Sequence, residues 1–127
     1  MTWLRALLSS SLAGNGLFML FAPERWYHTI PTVSLTGPLN LHFIRDIGCA
    51  YVSAAVALAW GLLRPADALV STMLAALFLI SHAGVHLHEL AAGLCGWGVW
   101  WKVFPGVTLP ALLSSMLAWQ SLSARRA

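Results

Sequence analysis

The chain has 127 residues, 59% of them hydrophobic and only 9% charged, with a formal net charge of +3. A soluble domain carries roughly 25% charged residues, so a water-facing surface cannot be assembled from this supply, and a soluble enzyme is excluded. The seven basic residues are spread along the chain and form no nucleic-acid patch, so nucleic acid is not an expected partner. About 20 apolar residues cross a bilayer. This length therefore predicts an all-α, four-transmembrane-helix bundle filling residues 1–127 as a single membrane domain.

The first apolar run covers residues 3–21, with Arg5 near its head. No small-x-small cleavage site follows it, so it reads as a retained span rather than a signal peptide. Residues 22–41 read as a loop, punctuated by Pro23, Pro31, Gly37 and Pro38. Within it, Glu24-Arg25-Trp26-Tyr27-His28 sets charge beside amphipathic aromatics, as an interfacial segment does. The stretch from Thr36 to Asn40 has turn chemistry, and Asn40 is placed to cap the next helix.

The second span is predicted over residues 42–63, and Arg64-Pro65-Ala66-Asp67 makes the tight turn into a third over residues 68–90. A second loop, residues 91–102, carries Gly93, Gly96 and Gly98 with Trp97, Trp100 and Trp101, and clustered tryptophans mark a membrane–water boundary. The fourth span runs over residues 103–122, with Pro110 expected to kink its first turns. Arg5, Arg64, Arg125 and Arg126 fall at one end of this bundle, and Arg25, Arg45 and Lys102 at the other. Arg45 lies inside a helix, so the positive-inside rule places both termini in the cytoplasm and the two aromatic loops outside.

Ionisable residues inside a span cost at least ~2.5 kcal/mol each at a helix centre, so they tend to face protein and serve function. Here they collect. Span two opens His42-Phe43-Ile44-Arg45-Asp46, and span three closes His82-Ala83-Gly84-Val85-His86-Leu87-His88-Glu89. Antiparallel neighbours bring those two ends to the same membrane face, the outer half. His42 and Asp46 are i and i+4, and His82, His86 and Glu89 are i, i+4 and i+7, so each set shares a helix face. At 1.5 Å rise per residue, His86 lies ~6 Å inward from Leu90 and Asp46 ~6 Å inward from His42, at similar depth. His88 points elsewhere.

Imidazoles and carboxylates on facing helices are how bundles build metal sites. The candidate metal ligands are His42, Asp46, His82, His86 and Glu89, a donor set suited to zinc, copper or iron. A haem held by His42 with His82 or His86 is a second reading. A quinone hydrogen-bonded by a histidine and Asp46 is a third, and a proton relay a fourth. Arg45 would balance charge at a bound cofactor. The structural alternative is interhelical glue, with Arg45 paired to Asp46 or Glu89.

Other polar residues read as packing. Asn15 between Gly14 and Gly16 permits close helix approach. Ser9, Ser10 and Ser11 can return hydrogen bonds to their own helix. Cys49 reads as a small core residue, and Cys49 and Cys95 as unpaired thiols.

The segments Ala22-Pro23-Glu24-Arg25-Trp26-Tyr27 and Gly37-Pro38-Leu39-Asn40-Leu41-His42-Phe43-Ile44-Arg45-Asp46, with His82 to His86, resemble small four-helix bacterial inner-membrane proteins of the broadly DoxX-like group. That resemblance implies a multi-pass protein of the bacterial inner (plasma) membrane, associated with thiosulfate- or quinone-linked oxidoreductase systems. It carries no catalytic residue over to this chain. The expected function is a small accessory subunit of a membrane redox complex that binds a metal ion or redox cofactor. Its expected partners are the lipid bilayer and a larger complex or a second copy. The alternatives are a non-catalytic scaffold, for which Ala54, Ala55, Ala57 and Ala59 supply packing surface, or a quinone-binding protein.

Overall fold

The computed structural model describes residues 2–35 and 37–125, and these are helical with no strand. Of the positions singled out above, Thr36 and Arg126 lie outside the described residues. The helices are α1 (Thr2–Phe21), α2 (Pro23–Thr29), α3 (Leu41–Leu63), α4 (Ala68–Ala91), α5 (Trp97–Val103) and α6 (Thr108–Ala124), with single 3₁₀ turns at Val33–Leu35 and Pro65–Asp67. Three helical stretches, Thr2–Phe21, Leu41–Leu63 and Pro65–Ala91, are long and apolar enough to cross a membrane. A fourth crossing requires α5 and α6 to act together across a 55° bend.

The long helices pack chiefly in chain order, α1 on α3, α3 on α4 and α4 on α6. Helix α1 buries Leu4, Leu8, Leu12, Gly16 and Met19 along one stripe. Helix α3 answers with Ile44, Gly48, Tyr51, Ala55 and Leu58. The two backbones meet at Gly16 and Gly48. A Cβ on Gly16 would stand 2.8 Å from the Gly48 carbonyl oxygen, and one on Gly48 would stand 2.9 Å from the Met19 Cβ. Such an approach is what small residues provide where lipid removes the hydrophobic drive between helices. Ser9 adds a bond across the same interface, its Oγ donating to the Ala55 carbonyl at 2.8 Å rather than to its own helix as its sequence context suggested.

Helix α4 buries mostly small side chains, Ser71, Thr72, Ala75, Ala76 and Ala83, around Leu79. Helix α6 contributes Ala111, Ser114 and Leu117. Helices α1 and α6 meet only briefly, where Arg5 donates from Nη2 to Ser121 Oγ at 3.0 Å. At that same end Trp60 Nε1 donates to Asp67 Oδ2 at 3.0 Å, and Arg125 bonds the Ala66 carbonyl. The outside of the bundle is apolar: Leu7, Leu17, Val56, Leu77, Ile80 and Leu112 are all exposed. An apolar exterior around a core that packs leucines with small and hydroxylated residues is the pattern of a transmembrane helical protein, because lipid rather than water is the solvent.

Three local expectations are corrected. The stretch taken as an irregular first loop contains α2, which folds back so that Trp26 Nε1 donates to Asn15 Oδ1 at 2.9 Å. The second loop contains α5, whose Trp100 packs against Trp97, Trp101 and Phe104 with ring centroids 4.6–5.8 Å apart. Pro110 does not kink a continuous fourth span. It sits in the first turn of α6, where its missing N–H is no loss, and the chain bends before it, between α5 and α6.

Candidate functional site

Two devices fix the ends of the helices that carry the ionisable residues. Asn40, in extended conformation, accepts a hydrogen bond from the Phe43 amide at 3.0 Å and so starts α3 just ahead of His42. Helix α4 stops at a Schellman turn. Gly93, at φ +72°, donates from its amide to the Leu90 carbonyl at 3.1 Å, and the Leu94 amide reaches back to the Glu89 carbonyl at 2.9 Å. That turn holds the last two turns of α4, with His86, His88 and Glu89, in a fixed helical register.

On α4, residues 78, 82, 86 and 89 follow one face, and their side chains form a column. The His82 ring stacks on Phe78, centroids 5.7 Å apart at 21°, and meets His86 edge-on at 5.1 Å. His86 Nδ1 lies 3.6 Å from Glu89 Oε2. Helix α3 supplies the cross-helix wall: buried Tyr51 stands edge-on to both Phe78 at 5.2 Å and His82 at 5.8 Å. Among the described residues no hydrogen bond occupies either imidazole nitrogen of His82. His86 and Glu89 retain 19% and 32% of their side-chain exposure, so the column is half-buried and open along one edge.

His42 and Asp46 are placed elsewhere. His42 Nε2 lies 3.3 Å from Asp46 Oδ2, but the two side chains are 89% and 58% exposed. The reason is helical phase. Residue 51 is nine positions after residue 42, half a revolution at 3.6 residues per turn. Tyr51 faces His82, so His42 points to the opposite side of α3. The rise along the helices brings Asp46 and His86 to one level, whereas the azimuth separates them.

Among the described residues, no three His, Cys, Asp or Glu side chains come together as a group able to hold a metal ion. The expected five-residue set thus resolves into two pairs, His42 with Asp46 and His86 with Glu89, with His82 beside the second. Arg45 forms no ion pair with Asp46 or Glu89. Its Nε donates to the Leu20 carbonyl at 3.4 Å, at the C-terminal end of α1, where a cation also suits the helix dipole. His88 is exposed, as its spacing implied. Cys49 is exposed rather than in the core, and both cysteines are free.

Tyr51 and Phe78 are the members that the search for ionisable groups passed over. Phe78 was discoverable by spacing, one turn before His82 on the same face. Tyr51 was not, because which face of α3 meets α4 is decided by the packing of α3 on α1. Chemically, the column places two imidazoles and a carboxylate in series against aromatic walls. Such a row can donate a hydrogen bond to a planar acceptor and pass a proton toward Glu89. The chain matches no family model, no curated protein and no solved structure.

Proposed function

We propose that this chain is a small multi-pass protein of the bacterial inner membrane that binds a redox cofactor at the His82–His86–Glu89 column and serves as an accessory subunit of a membrane redox complex. In this reading α5 and α6 together form a fourth crossing, both termini are cytoplasmic, and the column lies in the outer half. Membership of the DoxX-like group belongs to the same proposal. The observation that carries it is the His82 imidazole, flanked by Tyr51 and Phe78 and without a hydrogen bond of its own among the described residues. A polar ring kept in a span at a cost of a few kcal/mol, and not taken up by a neighbouring helix, is best explained by a ligand.

Of the cofactors considered, a quinone suits the column best. Its ring stacks on aromatic side chains, its carbonyls accept from imidazole N–H, and it reaches the half-open edge from within the lipid. A metal or a bis-histidine haem fits these residues less well. The donors on α3 point away from those on α4, and two histidines one turn apart on a single helix do not reach opposite faces of a porphyrin. A second reading, a non-catalytic scaffold, draws support from Ser9, Asn15 and Arg45, each of which makes one hydrogen bond to a different helix.

The deciding experiment is purification in mild detergent without chelator or His-tag, followed by organic extraction, elemental analysis and a visible spectrum. The expected result is quinone approaching one per chain, reduced at least five-fold in His82→Ala with the protein still folded. Stoichiometric metal or a haem band would replace quinone by that cofactor. Colourless, metal-free protein without quinone, co-purifying with a larger partner, would favour the scaffold.

A further inference from the structure

Helix α3 has a second, outward seam. His42, Asp46, Cys49, Ser53, Val56, Trp60 and Leu63 are all exposed, and their spacing alternates four and three residues over the whole helix. That is the a/d spacing of a left-handed coiled coil, sustained for three heptads. The inward seam of the same helix, Ile44, Gly48, Tyr51, Ala55 and Leu58, repeats the alternation and is already filled by α1 and α4. One face is thus satisfied, and its counterpart carries the strongest polar groups of the helix into the surroundings.

The charges on this seam identify its occupant. Asp46 is 58% exposed, and among the described residues its one ionic neighbour is His42 on its own helix. Arg45, beside it in sequence and also exposed, makes among the described residues one hydrogen bond, to the Leu20 carbonyl at 3.4 Å, and no ion pair. Arg45 and Asp46 lie in the first two turns of α3, where a charge facing lipid costs less than the ~2.5 kcal/mol of a helix centre, and a partner removes that cost. Opposite charges in adjacent positions make the face complementary to itself. In a parallel pair related by a two-fold axis, each a-position knob enters a hole formed by four residues of the facing helix. For Asp46 that hole consists of residues 42, 45, 46 and 49 of the other copy. Each carboxylate thereby receives a guanidinium and an imidazole, which offset its approach to Asp46 of the other copy. Cys49 and Ser53, small side chains at the next two layers, allow the close approach that membrane helix pairs require.

We infer that two copies of this chain associate through the outward seam of α3, about an axis along the membrane normal, with Arg45 of each copy against Asp46 of the other. The inference rests on α3 spanning the membrane and is independent of the cofactor. Retention of the protein in membranes after an alkaline wash tests the span separately. Facing Cys49 residues then come within disulfide reach, Cα atoms about 4.4–6.8 Å apart.

The test is oxidant-driven cross-linking in native membranes of the full chain carrying Cys95→Ser, which leaves Cys49 as its one thiol. A disulfide-linked dimer is expected in most of the protein. A cysteine moved to the exposed face of α4 by Leu77→Cys, in a Cys49→Ser and Cys95→Ser background, is expected to cross-link at least ten-fold less. Arg45→Glu is expected to reduce the Cys49 cross-link at least five-fold, and adding Asp46→Arg to the same chain to restore it. Equal cross-linking from residues 49 and 77 would mean random collision and overturn the seam. A folded, monomeric protein whose Cys49 does not cross-link would overturn the dimer. Cys49 shielded from maleimide without any self-cross-link would mean that a different protein covers the face, and would overturn the second copy as occupant.

Discussion

At the scale of single residues, the close approach of α1 and α3 at Gly16 makes the firmest prediction. The site of a Gly16 Cβ already lies 2.8 Å from both the Gly48 carbonyl oxygen and Val52 Cγ2. Gly16→Val is expected to push α1 off α3 and destabilise the protein by about 1–3 kcal/mol, the usual cost of overpacking. Gly14→Val, two residues away with open space around its Cβ position, is expected to cost far less. Thermal unfolding of the two variants in the same detergent separates them, and equal midpoints would contradict the packing. The same scale shows what sequence reading can reach. Residue type and rise placed His82, His86 and Glu89 on one face at the end of a span, and that column is present. Which way His42, Asp46 and Cys49 point depends on the rotation of α3 about its own axis. That rotation is set by Gly48 against Gly16, a contact between residues 32 positions apart, and no local pattern around residue 42 reports it.

At the scale of elements, helix starts and stops were legible because their chemistry is local. Asn40 caps α3 as its position suggested, and Pro65 follows the end of the same helix. The bend between α5 and α6 was missed because hydropathy averages over a change of direction across residues 97–122, although Pro105-Gly106 at the bend is a turn signal. Gly93 gives this scale its prediction. Its φ of +72° is costly for a residue with a Cβ, by roughly 1–2 kcal/mol, and for a β-branched one more. Gly93→Val is therefore expected to loosen the Schellman turn and fray the end of α4. Faster amide exchange at Glu89 and Leu90, with exchange at Ala75 and Leu79 unchanged, is the expected readout. If the proposed cofactor site is correct, quinone retention falls with it, because Glu89 loses its fixed register.

At the scale of the whole molecule, the surface is apolar where that of a water-soluble bundle is charged. Leucine, valine and tryptophan lie outside, and inside, leucines pack with alanine, serine and threonine. This was legible from composition alone, since 9% charged residues leave no other solution. Among the described residues, one side-chain hydrogen bond, Arg5 to Ser121, ties α1 to α6. Interhelical bonds of this kind average about 0.6 kcal/mol. Ser121→Ala is accordingly expected to lower stability by roughly that amount while leaving the α1–α3 interface intact, which unchanged amide exchange at Gly16 and Gly48 can monitor. A loss of several kcal/mol would mean that α1 and α6 depend on each other more than their brief meeting implies.

The order of packing has a consequence for how the molecule is made. Because α3 docks on α1, α4 on α3 and α6 on α4, each helix leaving the ribosome finds its main partner already in the bilayer. No segment has to wait for one that has not yet been synthesised. Contacts close along the chain favour fast, sequential assembly. The Arg5–Ser121 bond can form only after α6 has arrived, so it closes later than the contacts of α1 with α3 and of α3 with α4.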